Sequence, residues 1–280
     1  MLPDRHPHAW NVEHAQEHLP VDFTSRHIPT GGRLVITAQM RQVAAGMPSA
    51  LDRGAVTAIS GPYGSGKSTL LNAVAAVSDV NTAIATLPRR ATERAQWEEI
   101  ATAVTGARPT GTARALQNIT RDYLAAVPTL LVVDEAQFLG DPELLSLRWL
   151  WTQPYPRFAI VFAGTDLFTH LDKVPSVATR IDRRIALHHH TWDKMRQLLA
   201  QHHPGTSTHT DPDLLASIDR EYAHGSWRAW SKLLLALAND FGRTGPITRD
   251  DARAAIATIT GTTPQLTTAA PATSRAARRR

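Results

Sequence analysis

The alternation of apolar and polar positions divides the chain into strands and helices that follow one another in turn. Short apolar runs rich in β-branched residues lie at residues 55–60, 82–87, 129–133, 158–162 and 185–188. Between these runs, apolar residues recur at three- and four-residue spacing, as on one face of an amphipathic helix. The run at 129–133 is apolar throughout, which is typical of the centre of a parallel sheet. The pattern therefore predicts an α/β fold in which helices cover a five-stranded parallel sheet on both faces.

The helical segments show where the sheet domain gives way to a second region. Before residue 190, helices are predicted at 34–47, 69–77, 112–126 and 142–151, with another that ends at Gly106. We expect Pro48 to end the first of these helices, since proline breaks a helix interior. After residue 190 the pattern is helical throughout, with predicted helices at 192–202, 211–224, 226–241 and 248–259.

This change of pattern predicts the domain organisation. We expect four segments: an extended arm (1–32), a nucleotide-binding α/β core (33–190), a helical lid (191–260) and a disordered basic tail (261–280). The tail is rich in Thr, Ala and Pro, a composition that does not build a packed core.

A glycine-rich stretch between the first strand and the next helix matches the phosphate-binding loop. Residues 61–68 read Gly-Pro-Tyr-Gly-Ser-Gly-Lys-Ser. The glycines let the backbone wrap closely around an anion, and successive N–H groups then point at the phosphates. We expect Lys67 to contact the β- and γ-phosphates and Ser68 to ligate Mg²⁺. The predicted nucleotide contacts are Gly61, Pro62, Tyr63, Gly64, Ser65, Gly66, Lys67, Ser68 and Thr69.

Two adjacent carboxylates follow the apolar strand at 129–133. Ligands of open parallel sheets bind at the carboxyl ends of the strands, and Asp134-Glu135 lies there. Asp134 is expected to hold the Mg²⁺ ion, and Glu135 to orient or deprotonate the attacking water. Thr165, at the end of the next strand, is expected to hydrogen-bond the γ-phosphate or that water.

Several arginines are candidates for stabilising charge on the transferred phosphate. Arg180, Arg183 and Arg184 precede the predicted last strand, and Arg228 begins a lid helix. An arginine that reaches the γ-phosphate of a neighbouring subunit would stabilise the transition state. An exposed helix face that includes Asp182 is the competing interpretation.

Taken together, these motifs resemble the AAA+ ATPase superfamily over roughly residues 30–260. The sequences Val-Asp-Glu-Ala-Gln and Phe-Ala-Gly-Thr are similar to those of transposition regulators of the TnsC, TniB and MuB type. The resemblance implies ATP and Mg²⁺ as cofactors and ATP hydrolysis as the reaction. It makes Lys67 and Ser68 the Walker A pair and Asp134 and Glu135 the Walker B pair. It places Thr165 at sensor 1, Arg180 at the arginine finger and Arg228 at sensor 2; Thr165 and the doubled Arg183-Arg184 depart from the usual pattern.

The resemblance also implies partners. Such regulators assemble head to tail on duplex DNA, often as a filament, and recruit or stimulate a transposase. The DNA contacts would go to the backbone and tolerate any sequence. Arg89, Arg90 and Arg94, which follow the second predicted strand, are the candidate phosphate contacts, with a solvated helix start near Glu93 as the alternative.

Composition and charge narrow the functional classes. The chain of 280 residues has a net charge of +5, of which +4 comes from the arginines of residues 261–280. A basic tail suits a polyanion such as DNA, or serves only solubility. The chain contains no cysteine, which excludes disulfides and thiolate sites and fits a reducing cytoplasm. We expect no membrane partner, because no apolar run is long enough to span a bilayer.

Two other functions remain open from the sequence. A replication-initiator or helicase-loader ATPase would share the motifs but calls for a DNA-reading domain, for which residues 241–280 are short. A non-DNA assembly or signalling ATPase would need a membrane helix or long repeats, and neither is apparent. A GTPase is excluded because the chain lacks an Asn-Lys-x-Asp guanine signature. The run His188-His189-His190 is not expected to bind a metal, since neighbouring side chains of an extended segment alternate faces.

Overall fold

The computed structural model describes residues 47–77, 81–152 and 157–266, together with Thr37, Met40, Arg41 and Val43. The predicted N-terminal arm and the arginines of the predicted basic tail lie outside these residues. The chain divides into two compact units, the first of which ends at His188 and the second of which begins at His189. Each unit is described by itself.

A single parallel sheet organises the first unit. Its strands are β1 (Val56–Ser60), β2 (Asn81–Thr86), β3 (Thr129–Asp134), β4 (Phe158–Gly164) and β5 (Arg183–Ala186). Their order in the sheet is β2-β3-β4-β1-β5, and every adjacent pair is parallel. All residues of β3 and β4 are buried, because each strand has neighbours on both sides and helices over its faces. The predicted five-stranded parallel sheet is confirmed.

The helices of this unit connect the strands. They are α1 (Met47–Asp52), α2 (Lys67–Val77), α3 (Glu93–Thr105), α4 (Ala113–Ala126), α5 (Asp141–Trp151), α6 (Leu167–Leu171) and α7 (Pro175–Ala178). A 3₁₀ turn, Ala136–Phe138, follows β3. Thr92 and Thr112 cap α3 and α4 by accepting hydrogen bonds from the backbone N–H groups of Ala95 and Ala115.

The core beneath these helices is built from their apolar faces. Trp97 and Ile100 of α3 and Leu116 of α4 are at most 1% exposed and belong to the same cluster as the β3 side chains. On the α5 side, the ring of Trp151 meets that of Phe162 edge-on, with centroids 6.0 Å apart. These buried side chains form the core of the unit and hold the carboxyl ends of the strands in a fixed relation to one another.

The second unit is helical. Its helices are α8 (Trp192–His202), α9 (Pro204–Ser207), α10 (Pro212–Ile218), α11 (Trp227–Asn239) and α12 (Arg249–Thr260). A π-helical turn, Asp219–Ala223, follows α10. Met195, Trp230, Leu233 and Ala255 are all 0% exposed and form the core of the unit. In the described ranges, each helix is too short or too polar to cross a bilayer.

The structure corrects several predicted boundaries. Pro48 does not end a helix, because it lies within a helical segment that continues to Asp52. β5 begins at Arg183 rather than at residue 185, so both Arg183 and Arg184 belong to the strand. The predicted helix 211–224 changes to the π-helical turn at Asp219. The short helices α6, α7 and α9 are too brief to leave a periodic signal in the sequence.

Candidate nucleotide-binding site

The glycine-rich loop lies between β1 and the first turn of α2, at the carboxyl edge of the sheet. Gly64 and Gly66 have φ angles of 83° and 91°, in the left-handed region that glycine adopts without strain. A Cβ on Gly61 would lie 2.8 Å from the carbonyl oxygen of Leu187, so only glycine fits there. The loop therefore presents its backbone beside a helix N-terminus, which is an arrangement that binds phosphate.

Lys67 is held inside this loop. Its side chain is only 6% exposed. Its Nζ atom donates to the carbonyl oxygens of Gly61 at 2.7 Å and Pro62 at 3.1 Å, and lies 3.5 Å from Thr165 Oγ1. The ring of Tyr63, which is 59% exposed, lies with its centroid 5.7 Å from the same atom. The ammonium group is thus fixed between the loop and the end of β4, where a phosphate chain would enter.

Ser68 and Asp134 form the second part of the site. Ser68 Oγ donates to Asp134 Oδ2 at 3.0 Å, and Asp134 is 5% exposed. Burial raises the pKa of Asp134, while hydrogen bonds from the Glu135 N–H and the Ser68 hydroxyl act in the opposite direction. A hydroxyl and a carboxylate side by side are the hard oxygen ligands that Mg²⁺ prefers. These two residues fit the ion, and they would hold it while it neutralises phosphate charge.

Glu135 adopts an unusual backbone conformation directly after β3. Its φ angle is 56°, in the left-handed region, and its N–H donates to Asp134 Oδ1 at 2.9 Å. Gln137 Nε2 donates to Glu135 Oε2 at 2.5 Å. Strained backbone of this kind is concentrated at functional sites. The two adjacent carboxylates therefore have different partners, Ser68 for Asp134 and Gln137 for Glu135.

The end of β4 completes the cluster. The Thr165 N–H donates to Gln137 Oε1 at 3.1 Å, and the next residue, Asp166, also has a left-handed φ of 50°. The Thr165 hydroxyl faces Lys67 Nζ. The structure therefore brings together the five predicted residues Lys67, Ser68, Asp134, Glu135 and Thr165.

Arg183 and Arg180 lie on the amino side of β5, away from this cluster. Arg183 pairs with Thr57 and Ala186 with Ser60 in the β1–β5 register. Since a strand rises about 3.3 Å per residue, Arg183 lies about 10 Å back from the loop end of β1. Arg180 comes three residues earlier, two residues after the end of α7. Neither of these exposed side chains makes an ion pair or side-chain hydrogen bond within the described part of the chain.

Arg184 differs from the other two. Its Nη2 and Nη1 atoms donate to the two carboxylate oxygens of Asp172 at 2.6 Å and 3.2 Å. Its guanidinium also lies 5.5 Å from the centroid of the Phe168 ring. The side chain is therefore engaged inside its own unit.

Arg228 belongs to the second unit. It is exposed in the first turn of α11, which begins after a turn at His224 and Gly225 with φ angles of 49° and 73°. Ser226 caps the helix by accepting a hydrogen bond from the Ala229 N–H at 3.4 Å. A Cβ on Gly225 would lie 2.0 Å from the carbonyl oxygen of His190, so this turn requires glycine.

The three arginines after β2 are not equivalent. Arg89 and Arg90 are exposed, and Arg90 has a left-handed φ of 59°. Arg94 Nε donates to the carbonyl oxygen of Gly111 at 2.8 Å, and its guanidinium lies 3.7 Å from Glu98. All three side chains are exposed, but the guanidinium of Arg94 is engaged by Gly111 and Glu98, whereas Arg89 and Arg90 lie on the turn that follows β2.

Sequence reasoning missed Gln137, although it stands two residues after Glu135 in the quoted Val-Asp-Glu-Ala-Gln stretch. Its contact with Thr165 joins residues 28 positions apart, so no local spacing signals it. In the described residues, no group of three or more His, Asp or Glu side chains is arranged to hold a metal ion.

Comparison with known proteins agrees with this geometry. The family model described as AAA domain matches residues 51–171. No curated protein sequence matches the chain. The Aeropyrum pernix ORC1 protein, solved in complex with DNA, is similar at 20% identity and a TM-score of 0.62, covering 81% of this chain and 66% of that one.

Two further solved structures share the fold. The ADP form of the Aeropyrum pernix ORC2 protein has 19% identity and a TM-score of 0.63, covering 84% of this chain and 71% of its own. The Thermotoga maritima RuvB Holliday junction branch migration motor has 14% identity and a TM-score of 0.51, and the match covers 80% of this chain and 70% of the RuvB chain. These likenesses establish the fold. Together with the AAA domain match over residues 51–171 and the geometry of the phosphate loop, they support ATP hydrolysis on an α/β fold of the AAA+ type.

Proposed function

We propose that this ATPase assembles head to tail on duplex DNA and acts as a regulator of transposition, selecting a target and recruiting or stimulating a transposase. ATP with Mg²⁺ is the cofactor pair, held by the phosphate loop, Ser68 and Asp134. Binding of ATP favours assembly, and hydrolysis through Glu135 reverses it. The sequence resemblance to transposition regulators supports the biological role.

The position of the exposed arginines carries the assembly part of the proposal. Arg183 lies about 10 Å from the loop end of its own sheet, on the amino side of β5. A side chain so placed cannot complete the phosphate site of its own subunit. Head-to-tail packing would bring Arg180 or Arg183 to the γ-phosphate bound by the neighbouring subunit. An arginine at that position increases the rate of hydrolysis by a large factor. Arg184 is the weaker candidate, because Asp172 already occupies its guanidinium.

A mixing experiment tests this assignment. One variant, Glu135→Gln, keeps the arginines but loses the catalytic carboxylate, and should bind ATP without turnover. The other, Arg180→Ala with Arg183→Ala, keeps the Walker residues. Each should be nearly inactive alone, while their mixture should regain about a quarter of the unaltered activity, because some interfaces pair an intact pocket with an intact arginine. Arg184→Ala serves as the control and should retain most of its turnover.

A mixture as inactive as its components would contradict an arginine supplied by the neighbour. So would a protein that stays monomeric with ATP and turns over at full rate. The same variants, followed by sedimentation with a non-hydrolysable nucleotide and duplex, report assembly separately from hydrolysis.

The outward position of Arg89 and Arg90 supports contact with DNA. We propose that these two side chains meet the phosphate backbone, while Arg94 is committed to Gly111 and Glu98. Arg89→Ala with Arg90→Ala should weaken binding equally on unrelated duplexes and reduce the log–log salt slope by about two. Fluorescence anisotropy at several salt concentrations measures both, with Arg94→Ala as the matched control. An unchanged salt slope would show that Arg89 and Arg90 do not contact the DNA phosphates.

A replication-initiator role is the second candidate, and the likeness to ORC1 solved with DNA favours it. The two roles differ in how DNA is read. A regulator that marks targets should bind unrelated duplexes within a few-fold of each other, whereas an initiator should prefer one site by about 1,000-fold or more over random sequence. Selection of bound fragments from a random duplex pool distinguishes them.

A further inference from the structure

The side chain of Gln137 joins the ends of two neighbouring strands. Its Nε2 donates to Glu135 Oε2 at 2.5 Å, and its Oε1 accepts from the Thr165 N–H at 3.1 Å. Glu135 follows β3, and Thr165 follows β4. One amide group therefore connects the predicted catalytic carboxylate to the strand end whose hydroxyl faces Lys67.

The backbone around Gln137 leaves room for this link. A Cβ on Gly164 would lie 2.2 Å from Gln137 Oε1 and 3.3 Å from the Gln137 backbone nitrogen. A Cβ contact of 2.2 Å does not occur in real structures, so a side chain at position 164 would displace the end of the Gln137 side chain from its present position. Gly164 is part of buried β4, where glycine is otherwise unfavourable, which indicates a close approach that requires it.

The two ends of the amide have different chemistry, and each meets the matching partner. The N–H of Thr165 needs an acceptor, and the carboxylate of Glu135 needs a donor. A reversed amide would set its carbonyl oxygen against the carboxylate and its NH₂ group against the N–H. Only one orientation of Gln137 therefore satisfies both neighbours, and that orientation fixes where the Glu135 carboxylate can lie.

We propose that Gln137 is a positioning residue for ATP hydrolysis. It holds the Glu135 carboxylate in a set relation to the Thr165 peptide, and through it to the phosphate side of the pocket. This inference rests on the ATP hydrolysis assigned to the same site. A catalytic group displaced by about 1 Å can lose about 100-fold in rate, so a link of this kind acts on turnover rather than on nucleotide affinity.

The first test replaces the amide by a side chain of the same length. Gln137→Met should lower kcat by about 10- to 100-fold while the KM for ATP stays within about threefold. Binding of a fluorescent ATP analogue, measured without turnover, should be equally unchanged. Gln96→Met is the matched control, because Gln96 Nε2 donates to the Phe138 carbonyl of the same 3₁₀ turn but contacts neither Glu135 nor Thr165. It should lose thermal stability to a similar degree and keep kcat within about twofold.

A double-mutant cycle tests the link itself. Gly164→Ala should push the Gln137 amide aside and lower kcat. In a chain that already carries Gln137→Ala the same change should cost several-fold less, because the group that it displaces is gone. Losses of kcat that simply multiply in the double variant would overturn the proposal, as would a Gln137→Met kcat equal to that of Gln96→Met. Absence of turnover in the unaltered chain would instead overturn the ATPase function, and this inference with it.

Discussion

Two aspartates, one in each unit, are buried to almost the same degree but have different partners. Asp134 is 5% exposed and Asp219 is 6% exposed. Asp134 accepts hydrogen bonds from a serine hydroxyl and from the N–H of Glu135, at the open carboxyl edge of the sheet. Asp219 Oδ1 accepts from Trp230 Nε1 at 2.8 Å and from the Gly225 N–H at 3.2 Å.

The difference teaches that burial of a carboxylate does not by itself identify a functional site. The hydroxyl of Ser68 can turn away from Asp134 when both groups ligate a cation. The indole of Trp230 is 0% exposed, so it is packed in the core and cannot turn its N–H away from Asp219. Asp134 can therefore exchange its hydrogen bond with Ser68 for a bond to a cation. Asp219, in contrast, fixes the turn that leads into α11 and Arg228.

Asparagine at position 134 should produce the largest effect. Asp134→Asn keeps the shape but removes the charge that would hold Mg²⁺, so ATP hydrolysis should fall by at least about 100-fold, or about 2.7 kcal/mol in the barrier. The free energy of unfolding of the metal-free protein should stay equal or rise, because a buried charge is removed. Turnover assays and urea unfolding with a chelator measure the two. Hydrolysis within about threefold of the unaltered chain would contradict the role of Asp134.

Asp219 should respond in the opposite way. Asp219→Ala leaves the Trp230 N–H and the Gly225 N–H buried without acceptors, and each such group costs about 1–3 kcal/mol. The second unit should thus lose about 2–6 kcal/mol of stability. Asp219→Asn retains Oδ1 as an acceptor and should recover most of the loss. Urea unfolding followed by tryptophan fluorescence compares the two variants. Equal losses for Ala and Asn would show that the charge, and not the hydrogen bonds, matters at this position.

The contrast also explains what the sequence could predict. Asp134 follows a wholly apolar strand at a fixed place in the α/β pattern, so both its position beside Ser68 and the five-stranded sheet could be predicted from local spacing. Lys67 and Ser68 were predicted for the same reason, since the loop, strand and helix are contiguous in the chain.

Asp219 and Gln137 were not predicted, because what they do depends on partners far along the chain. Gln137 meets Thr165 28 positions away, and Asp219 meets Trp230 11 positions away across a π-helical turn. The turn itself interrupts what reads as one helix at 211–224. Its backbone is set by the close approach of Gly225 to His190, a tertiary contact without a sequence signature.

A smaller effect is expected at the helix cap beside Asp219. Ser226 Oγ accepts from the Ala229 N–H at 3.4 Å, a long hydrogen bond. Ser226→Ala should therefore cost about 0.5–1 kcal/mol of stability, at the low end for a cap. Urea unfolding measures the loss, and Ser231→Ala, a buried serine on the same helix, is the control for simple loss of a hydroxyl. A loss as large as that of Asp219→Ala would mean that the cap, rather than the aspartate, anchors the turn.

The smallest effect should be the response of this turn to acid. Burial lowers the pKa of His190, with smaller contributions from Lys194 and His189, while Asp219 acts to raise it. The folded second unit thus favours neutral His190, whereas the unfolded chain takes up a proton near the ordinary pKa of about 6.5. The unfolded state binds more protons in this range, so stability should be full above pH 6.5 and decline as the pH falls through the lowered pKa.

His190→Gln removes this titration, while the backbone N–H at position 190 still donates to the Gly225 carbonyl. Between pH 7.5 and 5.5, urea unfolding of the variant should show a shallower loss of stability than that of the unaltered chain. The remaining slope includes His203, whose pKa burial also lowers. In an Asp219→Ala background the His190 contribution should grow, because the charge that raises its pKa is absent. Identical slopes with and without His190 would show that protonation of His190 does not change the stability of the second unit. The role of Asp219 in this turn would then depend only on its hydrogen bonds with the Trp230 indole and the Gly225 N–H.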